Sequence, residues 1–219
     1  MGYKLKKLIT KVNKEPCANR KIEYLVLHYT GNLTDTAENN AKYFYGAYRG
    51  ASAHYFVGTK YVYQVVEDKD AAWAVGVNYG SNNLYGKCTN YNSISIEMCS
   101  KNGVIPSATF NNTVTLTKKL MQKYNIQASH VVRHWDVCSK RCPGWDGWLP
   151  PKEDLWKKFK KQIGSASTSK TETTAKKSVQ AMAIEVLQGK WGNGADRKKK
   201  LEDAGYNYAD VQREVNKLV

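Results

Sequence analysis

The chain has 219 residues, 42% of them apolar, and a formal charge of +15. That length suits one full domain plus something small, with enough apolar content for a packed core. No stretch is long and apolar enough to span a bilayer, five cysteines in a chain of this size exclude a small disulfide scaffold, and the basic residues form neither a Lys/Arg-rich helix nor an RRM signature.

In chain order, residues 22–30 read as a buried strand ending at His28. Thr34 and Asp35 are candidate caps for a helix starting near Thr36, with Ala37, Ala41, Phe44 and Tyr45 on one face. Apolar runs at Ala53–Gly58 and Tyr61–Val66 flank Gly58-Thr59-Lys60 and predict a hairpin. Residues 71–92 lack periodicity and read as a long loop. Ser93–Met98 is a short strand, Thr109–Tyr124 a helix carrying Val114, Leu116, Leu120 and Met121, and Val131–His134 a strand end. Lys152–Ile163 is an amphipathic helix burying Leu155, Trp156 and Phe159. Strands alternating with helices predict an α/β fold, a central mixed sheet flanked by helices.

The composition changes at Gly164. Residues 164–178 hold no large apolar side chain and read as a flexible linker. Residues 179–219 have the patterning of three short helices, a unit near the lower size limit for folding alone, for which weak self-association is expected. The predicted division is therefore 1–163, 164–178 and 179–219. Net charges are +12, +2 and +1 in that order, so the basic excess sits on the larger unit. Such a charge suits polyanions, teichoic-acid-bearing walls and nucleic acid among them.

The chemistry concentrates around His134-Trp135-Asp136-Val137-Cys138-Ser139-Lys140-Arg141-Cys142-Pro143-Gly144. Two histidines, His28 and His134, with Cys142 make three protein ligands for zinc and leave a fourth position open, the count of a catalytic site. Taken singly, each has a plainer reading: a histidine at a strand end is commonly structural, and a lone cysteine a small buried hydrophobe. Lys140 is either a surface lysine or an ammonium placed to stabilise an oxyanion. Glu97, in the alternating run Ser93-Ile-Ser-Ile-Glu97, faces either solvent or a cleft where it takes a proton from an activated water. His54 is open between core, a support behind the ligands and a substrate contact, and His130 reads as structural or exposed.

Four motifs, in order, resemble the type 2 N-acetylmuramoyl-L-alanine amidases, which include many phage endolysins and share a fold with peptidoglycan recognition proteins. They are Leu27-His28-Tyr29-Thr30, Ala51-Ser-Ala-His-Tyr55, Asn92-Ser-Ile-Ser-Ile-Glu97, and His134-Trp-Asp136 with Lys140-Arg-Cys142-Pro-Gly. The resemblance spans roughly residues 20–160. It implies His28, His134 and Cys142 as zinc ligands and Lys140 as catalytic. Some members use a tyrosine just before the histidine of the Ser-Ala-His motif, where this chain has Ala53. Others use a glutamate ending the Asn-x-x-Ser-Ile-x-Ile-Glu strand, here Glu97, which makes Glu97 the candidate base. Many relatives carry Ala-Trp-His where this chain has Trp73 followed by Ala74; Trp73 and His54 stand as candidate substrate contacts. The tail, through Gly189-Lys-Trp-Gly-Asn-Gly194, Arg197, Gly205-Tyr206 and Val211-Gln212, resembles the cell-wall-binding repeats of certain phage lysozymes, with Trp191, Arg197, Tyr206 and Gln212 as candidate contacts.

The expectation is a zinc-dependent endolysin that cleaves the amide between N-acetylmuramic acid and L-alanine of the stem peptide. Its partner is peptidoglycan, with no nucleic acid and no membrane insertion. Met-Gly-Tyr-Lys-Leu-Lys-Lys at the start has charge without the apolar stretch of a signal peptide, so synthesis in a reducing cytoplasm and holin-type release to the wall are expected. The rival readings are a non-catalytic muropeptide receptor, a cysteine peptidase using a Cys–His pair, and a nucleic-acid binder suggested by charge alone.

Overall fold

Six short segments pair into one sheet in the computed structural model, which describes residues 2–80, 84–164 and 179–217. They are β1 (Lys4–Lys7), β2 (Tyr24–Tyr29), β3 (Tyr55–Val57), β4 (Tyr61–Gln64), β5 (Ser93–Met98) and β6 (Val131–Arg133). The spatial order is β1-β4-β3-β5-β2-β6. Only the β3–β4 hairpin is antiparallel; the other neighbours run parallel, so the sheet is mixed.

A mostly parallel sheet needs cover on both faces, and side-chain alternation divides the residues between two layers. Leu25 and Leu27 of β2, with Ile94, Ile96 and Met98 of β5, enter one core with Phe110, Leu116, Trp148 and Phe159. These last residues come from α2 (Ser107–Tyr124), α4 (Asp154–Gly164) and the segment before α4. Val26 and Val132 instead join Val75, Cys88, Val137 and Cys138 on the opposite face. There α1 (Ala37–Tyr45) also packs, through Ala37 and Ala41 against Phe56, Tyr63 and Val65. His28 and Glu97 follow the alternation onto this second face. They are register partners in adjacent parallel strands, so their side chains emerge side by side.

Local details correct two expectations and add one strand. Thr36, not Thr34 or Asp35, caps α1, its Oγ1 accepting from Asn39 N–H at 3.1 Å. Asp35 is occupied elsewhere, accepting from Ser100 N–H and the Asn40 amide. The strand β1, Lys-Leu-Lys-Lys, has all four residues exposed and lacks the burial pattern that marks a strand in sequence. It pairs in parallel with β4 at the sheet edge, where lysines discourage further pairing. The helix α3 (His134–Cys138) stands where only a strand end and loop were expected.

The chain divides into two compact units, Met1–Ser167 and Thr168–Val219. Apart from Gly164, which ends α4, the expected linker 164–178 lies outside the described residues. The second unit holds α5 (Val179–Leu187), α6 (Gly194–Asp203) and α7 (Tyr208–Lys217) around Met182, Val186, Leu201, Tyr206, Val211 and Val215. No helix among the described residues is long and apolar enough to cross a membrane.

Candidate active site

Strand β2 carries His28 to the carboxyl end of the sheet, and β6 delivers His134 beside it at the first position of α3. The two imidazoles meet edge to face, 4.5 Å between centroids. Cys142 Sγ lies 3.7 Å from His28 Nδ1. One ligand atom from each of His28, His134 and Cys142 falls within 4.8 Å of the other two, and all three residues are buried. The loop that returns Cys142 is held by Trp135 N–H donating to the Cys142 carbonyl at 2.9 Å. Gly144 then passes against Tyr29: a Cβ there would clash with the end of the Tyr29 ring and lie 3.0 Å from the Arg141 carbonyl, so any larger residue displaces that ring.

The polar atoms of this cluster are buried without partners. His28 Nε2, both ring nitrogens of His134 and Glu97 Oε2 receive no hydrogen bond. Buried polar groups are normally paired, so three unpartnered ring nitrogens on two adjacent histidines, with an unpartnered carboxylate oxygen on the neighbouring strand, need an explanation. Glu97 is half-buried as a residue, but this oxygen is cut off from solvent.

Electrostatics point the same way. Burial, reinforced by His134 and Lys140, holds His28 well below the usual imidazole range. Burial, then Lys140, lowers His134 to about 4. Burial pushes the Cys142 thiol up, with Glu97 adding to it. Burial pushes Glu97 up to about 8 against the pull of the Lys140 ammonium. A raised thiol is the opposite of an activated cysteine nucleophile, which disfavours the peptidase. A dication here would take one nitrogen from each imidazole together with the Cys142 sulfur, since zinc takes neutral imidazole nitrogen and thiolate sulfur in this combination. The residues present therefore fit zinc.

Lys140 is exposed, and its ammonium lies 5.9 Å from the centre of the Tyr79 ring. Tyr79 N–H donates to the Cys138 carbonyl at 2.8 Å, clamping the 71–92 loop onto the end of α3. A cavity of about 380 Å³ bounded by Asp35, Gly58, Lys60, Ser100 and Thr109 contains none of the ligand cluster.

Other expected contacts are placed differently. His54 has no exposed surface. Its Nδ1 accepts from Ser95 N–H at 3.0 Å and its Nε2 lies 3.1 Å from the Asp70 carbonyl, which fixes a neutral ring protonated at Nε2. His54 thus belongs to the scaffold and is not a substrate contact. Trp73 is half-buried, tied to Ser52 through its backbone and edge-on to Tyr48. His130 stacks on Tyr24 at 4.8 Å. In the helical unit, Tyr206 is buried in the core, which corrects its expected role as a wall contact. Trp191 packs on that core and donates to Glu185, whereas Arg197 and Gln212, both half-buried, lie 3.5 Å apart.

Two residues have no role assigned from sequence. Arg133 and Asp136 form a forked pair: Nε to Oδ2 at 3.0 Å and Nη2 to Oδ1 at 2.7 Å. A charged residue closing the apolar run Val131-Val132, directly before a ligand, was the available signal.

The family model for N-acetylmuramoyl-L-alanine amidases matches residues 18–145. The chain belongs to this family. A second model, the CW_7 repeat, matches residues 180–219. The chain is 29% identical over 200 residues to the N-acetylmuramoyl-L-alanine amidase CwlL of Bacillus licheniformis, covering 85% of this chain and 54% of that protein. It is 26% identical over 208 residues to the amidase BlyA of Bacillus subtilis strain 168, covering 90% and 57%. It thus spans about half the length of the curated relatives it matches. Among solved structures, PlyL aligns with a TM-score of 0.61 at 26% identity, covering 76% of this chain and 100% of that one. The PlyG catalytic domain aligns with a TM-score of 0.61 at 28% identity, covering 77% and 99%. The mixed sheet with flanking helices is the fold that these two structures share with the chain.

Proposed function

We propose that the protein is a peptidoglycan hydrolase of the endolysin type, cutting the amide between the lactyl group of N-acetylmuramic acid and L-alanine of the stem peptide. The observation that carries this reading is the convergence of His28, His134 and Cys142, with unpartnered nitrogens, beside the buried oxygen of Glu97. Zinc held by the three side chains supplies Lewis acidity, polarising a carbonyl and acidifying water.

The chain's own groups supply the rest. Glu97, beside His28 in the sheet register, accepts the proton lost by the attacking water. The water oxygen adds to the amide carbon. Glu97 returns the proton to the alanine nitrogen as the carbon–nitrogen bond breaks, leaving a carboxylic acid on the sugar and a free amine on the peptide. Lys140, exposed on the loop between α3 and Cys142, supplies an ammonium to offset the charge of the tetrahedral oxyanion. The helical unit tethers the enzyme to the wall through surface groups such as Arg197 and Gln212. Tethering raises the local concentration of cleavable bonds without new catalytic contacts.

Mass spectrometry of digested peptidoglycan tests the reaction. New L-alanine amino termini with intact glycan chains are expected. New reducing ends instead would assign the protein to glycan cleavage and overturn the reading.

A further inference from the structure

The guanidinium of Arg133 is almost wholly withdrawn from solvent and has more partners than a scaffold contact needs. Its Nε and Nη2 grip both oxygens of Asp136, its Nη1 donates to Glu153 and to the Trp148 carbonyl, each at 2.6 Å, and its plane lies 4.9 Å from the Trp156 ring. The Arg133 backbone N–H adds a fifth hydrogen bond, to Asp136 Oδ2 at 2.8 Å. These contacts gather three pieces of chain: the end of β6, the first turn of α3, and the segment from Trp148 to Trp156 that leads into α4.

Alternation along β6 explains the placement. Arg133 pairs with Leu27 and turns toward the α4 side of the sheet, and the next residue, His134, is thrown to the opposite side where His28 waits. The first turn of α3 also fixes Cys142, because Trp135 N–H holds the Cys142 carbonyl. Two of the three ligands therefore take their positions from one short helix whose start is clamped by Arg133 and Asp136.

We infer that Arg133 and Asp136 are positioning residues for the metal centre: their forked pair sets the start of α3 and thereby the aim of His134 and Cys142. This rests on the zinc reading above. Neither residue touches the reacting atoms. Groups that orient metal ligands from behind typically change metal affinity about 10- to 100-fold when removed. Lysine does not replace this arginine, since an ammonium cannot make the planar fork.

The test is the rate at which the full-length zinc-loaded protein surrenders its metal to a chromogenic chelator. Arg133→Met and Asp136→Asn should each release zinc about 10- to 100-fold faster, the double variant no faster than the worse single one, and Arg133→Lys should fail to restore the wild-type rate. Cobalt-substituted variants should show a shifted ligand-field spectrum. Lys160→Met is the control. Lys160 is half-buried, bonds the carbonyls of Val131, which starts β6, and of Ala128 just before it, and shares the Trp156 ring with Arg133 at 5.1 Å without bonding Asp136. Its loss should lower the melting temperature yet leave zinc release unchanged. Should Arg133→Met not fold, Asp136→Asn carries the same prediction. Release within about twofold of wild type in the Asp136 variant, or equal acceleration in Lys160→Met, would overturn the inference while leaving the zinc site standing. A wild-type protein that takes up no zinc would instead remove the reading beneath it.

Discussion

Two histidine environments on the same sheet face opposite chemical fates. Around His54 every polar atom of the ring is answered: a backbone N–H meets Nδ1 and a backbone carbonyl meets Nε2. Around His28 and His134 three of the four ring nitrogens are buried and unanswered. Burial is nearly the same at the two places, with all three residues at or below 3% exposure. The difference is hydrogen-bond satisfaction, and it separates a side chain that holds the fold from side chains arranged for a ligand. Burial alone would have assigned all three to one class.

The largest effect is expected at the reacting side. Glu97→Gln removes the proton carrier but none of the proposed ligands. Turnover on purified peptidoglycan should fall about 10²- to 10⁴-fold, while zinc content stays at about one per chain. Loss of zinc together with activity would show that Glu97 belongs to the ligand set.

At the satisfied side the expected effect is on stability and its pH dependence. Burial, with Arg20 nearby, lowers His54 from 6.5 to about 4. Between these values the unfolded chain binds a proton that the folded chain refuses. The stability held by the neutral ring is therefore complete above pH 6.5 and is lost as the pH falls toward 4, by about 3 kcal/mol. His28 and His134 contribute in the same direction, so the wild type is to be compared with His54→Gln. Urea unfolding should find the variant less stable at pH 7 and the gap closing by that amount near pH 4. A gap independent of pH would mean that His54 is not held neutral.

Much of this was legible in the sequence, for definite reasons. The apolar run Tyr24-Leu25-Val26-Leu27 and the alternation Ser93 to Met98 each specify a strand, and parallel pairing in register then brings His28 beside Glu97. The motif around His134 and Cys142 pointed to a metal because its residue types are those zinc takes. What remained hidden depends on partners distant in the chain. Strand β1 exists because β4 offers it an edge, not because Lys-Leu-Lys-Lys favours extension. His54 reads as a functional histidine until Ser95 and Asp70 are seen to occupy its nitrogens. Tyr206, taken for a wall contact from its Gly-Tyr setting, is needed inside because so small a helical unit has few other large side chains to fill its core. Arg133 shows its importance only once Glu153 and Trp148 close around it.

Everything above depends on three side chains, from β2, α3 and the loop after α3, sharing one ion. X-ray absorption at the zinc edge of the full-length protein tests it directly. One zinc per chain is expected, bonded to two imidazole nitrogens at about 2.0–2.1 Å and one sulfur at about 2.3 Å, with a light atom completing the shell. A shell without sulfur, or a protein fully active with no metal bound, would contradict it.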